Sequence, residues 1–167
     1  MKTMKLTAAL SLGIALLLAA LPAAASTGES RLASGAGPVV LAEYSKIHDA
    51  LAADRTAGVA EAAATLHSIA AKRIPAAGDA DRPLFQAVAD AAAKLTGEEL
   101  AALRAPLKEL SVAVDALLRA GGTQGWQLYY CPMADGYWIQ TAEGVRNPYY
   151  GAAMLRCGDK VEGVAPR

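Results

Sequence analysis

The chain has little of what metal sites and enzymes are usually built from: two cysteines and two histidines in 167 residues, with basic and acidic side chains balanced at 16 each. A structural zinc site usually takes four Cys or His ligands, so here it would consume every candidate. Balanced charge leaves no basic footprint for nucleic acid. Enzyme motifs are missing too, with no Gly-x-Ser-x-Gly elbow, no phosphate-binding loop, no His-Glu-x-x-His and no Cys-x-x-Cys pair. Glu98-Glu99 fits first-turn helix charge better than a pair of catalytic carboxylates. No catalysis is expected.

Residues 1–25 read as an export signal. Lys2 and Lys5 supply a charged start, Leu6 to Leu21 an apolar run, and Ala23-Ala24-Ala25 a small-residue cleavage site, with no acidic residue among them. A spanning anchor would need about 20 unbroken apolar residues; this run is shorter and contains Ser11 and Gly13. The expectation is a soluble periplasmic protein, off the membrane after cleavage, in a compartment where disulfides persist. Removing Lys2 and Lys5 from the 16 basic residues leaves 14 against 16 acidic ones, a formal balance of about −2. Residues 26–37, rich in Gly, Ser and Ala, read as a flexible leader. One domain then covers 38–162, including a cap at 123–162, with a tail at 163–167.

Helical periodicity dominates the middle of the chain. Val40, Tyr44, Ile47 and Leu51 recur at three- and four-residue steps after Pro38 and predict a first helix ending near Asp54. A second is expected from Thr56 to Ile74, with Val59, Ala63, Leu66, Ile69 and Ala70 inward and Pro75 as its stop. Asp81 and Pro83 open a third, with Leu84, Val88, Ala92 and Leu95 as its buried stripe. A capping box of Thr96 and Glu99 would start a fourth, carrying Leu100, Leu103, Leu107, Leu110, Val114 and Leu117 to Gly121-Gly122, with a bend at Pro106. The period vanishes beyond Gly122. Trp126 to Tyr130 and Tyr137 to Gln140 alternate weakly, like the two strands of a hairpin. The predicted fold is all-α: an antiparallel three- to four-helix bundle with a small irregular or β-hairpin C-terminal cap.

What the sequence concentrates, it concentrates in that cap. Beyond the signal, every sulfur atom lies between Cys131 and Cys157, with Met133 and Met154 beside the cysteines; both tryptophans and five of the six tyrosines fall between Trp126 and Tyr150. Thiolate and thioether are soft donors that suit Cu(I). Pro132 restrains Cys131 relative to Met133. Equally, an even pair of cysteines in an exported chain reads as a Cys131–Cys157 disulfide, which would add about 3 to 4 kcal/mol by loop closure. The methionines also serve as adaptable fillers and the aromatic rings as core. His48 and His67 sit at the edges of their helices' apolar stripes. If their helices form a hairpin near residue 55, the two are offset by roughly 6 Å along the axis. Either joins a metal site only if the cap folds over that hairpin; otherwise each is a satisfied or half-exposed histidine.

The runs Tyr130-Cys131-Pro132-Met133-Ala134, Gly136-Tyr137-Trp138-Ile139, Val145-Arg146-Asn147-Pro148-Tyr149-Tyr150-Gly151 and Met154-Leu155-Arg156-Cys157-Gly158, with Arg104, Leu107, Leu110 and Ser111 upstream, resemble the bacterial domain-of-unknown-function family 3347. The resemblance implies a periplasmic helical domain found alone or attached to adaptor subunits of heavy-metal efflux pumps. Such an adaptor, or another periplasmic protein, is the implied partner. A different metal-binding module of these adaptors has the similar run Tyr-x-Cys-Pro-Met-His-Pro; Ala134 and Asp135 replace its His and Pro, so its histidine ligand is missing here. Two readings follow. One is a soft-metal, copper-handling protein using Cys131 and Cys157 with Met133, Met154, His48 or His67. The other is a disulfide-stapled interaction module in which Pro132, Trp138, Asn147, Pro148, Tyr149, Gly151 and Gly158 specify the cap.

Overall fold

The computed structural model describes residues 35–165. The signal at 1–25, the leader up to residue 34 and residues 166–167 lie outside the described residues. Four α-helices, α1 (Ala36–Ala52), α2 (Val59–Arg73), α3 (Arg82–Ala92) and α4 (Leu100–Ala120), are followed by strands β1 (Gln127–Cys131), β2 (Gly136–Gln140) and β3 (Asp159–Val161). Short 3-10 turns cover Ile74–Ala76 and Gly151–Ala153. Among the described residues no helix is long and apolar enough to cross a membrane.

The helices pack in sequence, α1 on α2, α2 on α3 and α3 on α4, and α4 closes back on α1. Their buried faces follow the three- and four-residue spacing: Val40, Tyr44, Ile47 and Leu51 on α1, Leu103, Leu107, Leu110 and Val114 on α4. α1 begins at Ala36 rather than Pro38, and Gly37 makes that possible, since a Cβ there would lie 1.9 Å from Thr123 Oγ1. In α3 Phe85 faces the core at 3 % exposed, while Leu84 is only half-buried. The Thr96/Glu99 capping box does not form. Gly97 takes φ 90°, and α4 starts at Leu100 with Glu99 as an N-cap that makes no side-chain cap bond. α4 nevertheless runs unbroken past Pro106.

The all-α expectation does not hold. Four helices are joined by a three-stranded antiparallel sheet of order β2-β1-β3, so the fold is mixed α/β. β1 and β2 form the anticipated hairpin, with Tyr129 opposite Trp138 and Cys131 opposite Gly136. β3 was not anticipated: three residues long and largely exposed, it carries no alternating pattern. It pairs Leu128 with Val161 and Tyr130 with Asp159, making β1 the central strand. The tail at 163–165 is also docked, because the Ala165 N–H donates to the buried Asp115 carboxylate at 3.1 Å.

The sheet is bonded to the bundle through Tyr44, which is fully buried. The Ile139 N–H, on the side of β2 away from β1, donates to the Tyr44 hydroxyl at 3.3 Å. Ser111 spends its proton on the Leu107 carbonyl at 2.8 Å, so Tyr44 is the donor in their 2.6 Å contact. Burial pushes the phenol up from its usual value, which keeps it a neutral donor. Tyr44→Phe leaves the Ile139 N–H without its partner. A loss of about 1–3 kcal/mol in urea denaturation is expected; wild-type stability in that variant would remove this bond from the account.

Candidate functional site

Sheet register assembles the thiol pair. Cys131 ends the central strand, and continuing the β1–β3 pairing by one step sets it opposite Gly158, next to Cys157. Gly158 is required there. It takes φ 132°, and a Cβ would lie 2.4 Å from the Trp138 ring and 2.9 Å from the Tyr130 carbonyl oxygen. The two sulfurs stand 3.1 Å apart, with Cys131 fully buried and Cys157 half-buried.

Asn147, 0 % exposed, organises the C-terminal half of the site. Its side-chain amide donates to the Cys157 carbonyl at 2.8 Å, and its Oδ1 accepts the Tyr149 N–H at 2.8 Å. Its backbone N–H donates to the Leu155 carbonyl and its carbonyl accepts the Gly151 N–H. One residue thereby fixes the loop from Tyr149 to Cys157. Met154 lies on the same loop, its carbonyl accepting the Cys157 N–H at 2.9 Å.

The Cys-Pro-Met-Ala run supplies the other half. The Met133 and Ala134 amides and the Asn147 side chain lie near enough to the Cys131 sulfur to favour its ionised form. The Tyr150 hydroxyl donates to the Met133 carbonyl at 2.9 Å, and Lys108 of α4 to the Ala134 carbonyl. Because a peptide is planar with C=O and N–H opposed, the Tyr150 bond also aims the Ala134 N–H. Burial alone would raise the Cys131 thiol, but the Cys157 thiol and these amides outweigh it and hold Cys131 below the usual thiol value. Cys157 moves the opposite way, raised first by donating to Cys131 and then by burial and the Cys131 and Asp159 charges. The sulfur contact and the neighbouring amides thus make Cys131 the more readily ionised thiol of the two.

The other predicted ligands do not converge on it. Met133 is 65 % exposed on the hairpin turn. His48 is buried at 1 % exposed, and both of its nitrogens face acceptors: Nε2 lies 2.8 Å from the Arg146 carbonyl and Nδ1 3.0 Å from Asp49 Oδ1. It supports the site from behind, through the residue preceding Asn147. His67 is directed elsewhere, its Nδ1 donating to the Ala89 carbonyl across α2 and α3. Among the described residues no group of three or more His, Cys, Asp or Glu side chains is placed to hold a metal ion. Pro132 is exposed at the turn, while Trp138 is fully buried, with its ring stacked on Tyr129 and edge-on to Tyr149.

Arg104 fastens the site to the helices. Its Nε donates to the Pro148 carbonyl at 2.9 Å and its Nη2 to the Leu51 carbonyl at 2.9 Å and to Asp54 Oδ1 at 2.5 Å. Asp54 Oδ2 accepts the Ala152 N–H at 2.8 Å. Sequence reasoning took Asp54 only as the end of the first helix; its partners are distant in sequence, and only its positive φ of 53° marks it structurally. It likewise took Asn147 only as one of the residues that specify the cap.

Comparison of the chain with protein-family models, with curated proteins and with solved structures gives no match.

Asp49 and Asp54 are both held below the usual carboxylate value, Asp49 first by its bond from His48 and further by Arg146 and Arg55, Asp54 first by the Ala152 N–H and then by Arg104. A depressed folded value means that their stabilisation is complete above about pH 4 and is lost as pH falls through the lower folded values. Asp49→Asn and Asp54→Asn should each flatten the acid limb of a stability-against-pH curve; an unchanged limb contradicts the assignment. Gly151→Ala tests the clamp sterically. Gly151 has φ 55°, and a Cβ there would lie 2.0 Å from Asp54 Oδ1, so a loss of at least about 1–3 kcal/mol is expected in the same assay.

Proposed function

We propose that this chain is an exported, periplasmic soft-metal protein that holds copper as Cu(I) through Cys131 and Cys157 and passes it on, as an accessory to metal homeostasis or efflux. One observation carries this reading: two cysteine sulfurs 3.1 Å apart, the inner one fully buried, with its thiol held below the usual value by the contact with Cys157 and by nearby amides. A thiolate is the ligand form of cysteine, and soft thiolates select Cu(I). The second thiol, 3.1 Å away, supplies a second sulfur. Met154 on the Cys157 loop and Met133 on the exposed turn are the nearby thioethers in the sequence, whereas His48 is committed to Arg146 and Asp49. The resemblance to a domain attached to heavy-metal efflux adaptors points the same way and names the class of partner.

A second reading, the disulfide-stapled interaction module, is favoured by the 3.1 Å sulfur contact itself. Two metal–sulfur bonds of roughly 2.3 Å at a tetrahedral angle would hold the sulfurs farther apart. Metal uptake therefore entails a small opening of the pair, and disulfide formation a small closing.

Competition for Cu(I) against a chromogenic chelator decides between them. Reduced protein should take up one Cu(I) per chain, and the Cys131→Ser, Cys157→Ser double variant should lose that uptake. Equal uptake by the two proteins rules the thiol site out. Two cysteines bonded to each other in protein taken directly from the periplasm, with no Cu(I) uptake after reduction, would establish the stapled module instead.

A further inference from the structure

The two sulfurs differ in access. Cys131 is fully enclosed beneath the hairpin turn and the Asn147 loop, whereas Cys157 is half-buried between exposed Arg156 and a half-buried Gly158 that precedes exposed Asp159. A reagent arriving from solvent meets Cys157 first. The sulfur behind it is 3.1 Å away. A disulfide bond is about 2.05 Å long. Closing the pair needs a movement of roughly 1 Å, within reach of a loop side chain.

We infer that Cys157 and Cys131 form a two-step thiol–disulfide exchange pair, in which Cys157 takes up a small-molecule disulfide and Cys131 resolves the mixed disulfide into an internal Cys131–Cys157 bond. In the first step the Cys157 thiolate attacks one sulfur of R–S–S–R; a Cys157–S–R bond forms, the R–S–S–R bond breaks, and the departing thiolate takes up the proton that Cys157 has lost. In the second the Cys131 thiolate attacks the Cys157 sulfur, the internal disulfide forms, and the second R–S⁻ leaves and takes up the Cys131 proton. The cysteine pair is oxidised by two electrons and one disulfide is reduced to two thiols. The reverse path is equally open: an external thiol attacks the accessible Cys157 sulfur and expels Cys131. Such a bond is a reversible state of the cap, unlike a permanent staple.

This inference needs the pair to be reduced at some stage, as the metal reading also does, but it needs no metal. Its test uses metal-free protein, so its failure would leave Cu(I) uptake standing. Reduced protein is mixed with oxidised glutathione, quenched in acid and weighed by mass spectrometry. Wild type should pass through a transient glutathione adduct and finish two hydrogens lighter. Cys131→Ser should stop at a stable adduct on Cys157, and Cys157→Ser should react at least about tenfold more slowly because its remaining thiol is enclosed. Modification of Cys157→Ser as fast as Cys131→Ser, or a wild-type adduct that never closes, overturns the proposal. A brief substoichiometric alkylation of folded wild type, followed by peptide mapping, needs no variant: Cys157 should carry the label, and preferential labelling of Cys131 refutes the order of attack.

Discussion

The Asn147 side chain is fully buried, and its backbone and side chain together place a donor or an acceptor on Tyr149, Gly151, Leu155 and Cys157. Leaving such groups unpaired in the interior costs about 1–3 kcal/mol each, so the surrounding loop has little freedom to adopt another path. The position of Cys157 follows from that path. The same amide is also one of the donors directed at Cys131. One asparagine therefore both places the second sulfur and lowers the charge cost of the first. Arg104 makes this arrangement part of the bundle, since a single guanidinium joins the Pro148 carbonyl to the end of α1 and to Asp54.

The helices were legible because their apolar residues follow a 3.6-residue period, which needs only local sequence. What depended on distant partners was not. Leu84 and Phe85 are adjacent apolar residues, and the choice of Phe85 as the inward one is set by how α3 lies on its neighbours. The Thr96/Glu99 box matched a motif, yet Gly97 at positive φ breaks the chain between its two members. β3 has three residues and becomes a strand only because β1 presents a free edge to it. At the site, the proximity of Cys131 and Cys157 was readable from their being the only cysteines. Their asymmetry was not, because it arises from how deeply the folded chain buries each of them and from amides near Cys131 that only the fold brings there.

That asymmetry links the two chemistries open to the pair. Donors that stabilise the Cys131 thiolate favour a soft cation beside it and also make Cys131 a better leaving group from a disulfide. If both proposals hold, a metal-bound state and an oxidised state would compete for the same two sulfurs, with the balance set by the oxidant and the ion present. Tyr150, which holds the Met133 carbonyl, fixes the peptide plane that carries the Ala134 N–H beside Cys131.

The alanine-rich helices bury little apolar area per residue, so the bundle alone is short of core volume. The sheet supplies it. Leu128, Trp138, Ile139 and Tyr149 belong to one continuous hydrophobic core with Tyr44, Leu107 and Leu110. Gly158, the residue after Cys157, lies against the Trp138 ring with no room for a side chain, and Gly136, opposite Cys131, is packed as closely on Tyr149. Any change in the separation of the sulfurs is therefore felt by the buried rings of Trp138 and Tyr149. From there it reaches β2, whose Ile139 N–H is bonded to Tyr44 in α1. The bonding state of the cysteine pair is thus mechanically connected to the packing of the whole domain, a connection that a cap hanging free of the bundle would lack.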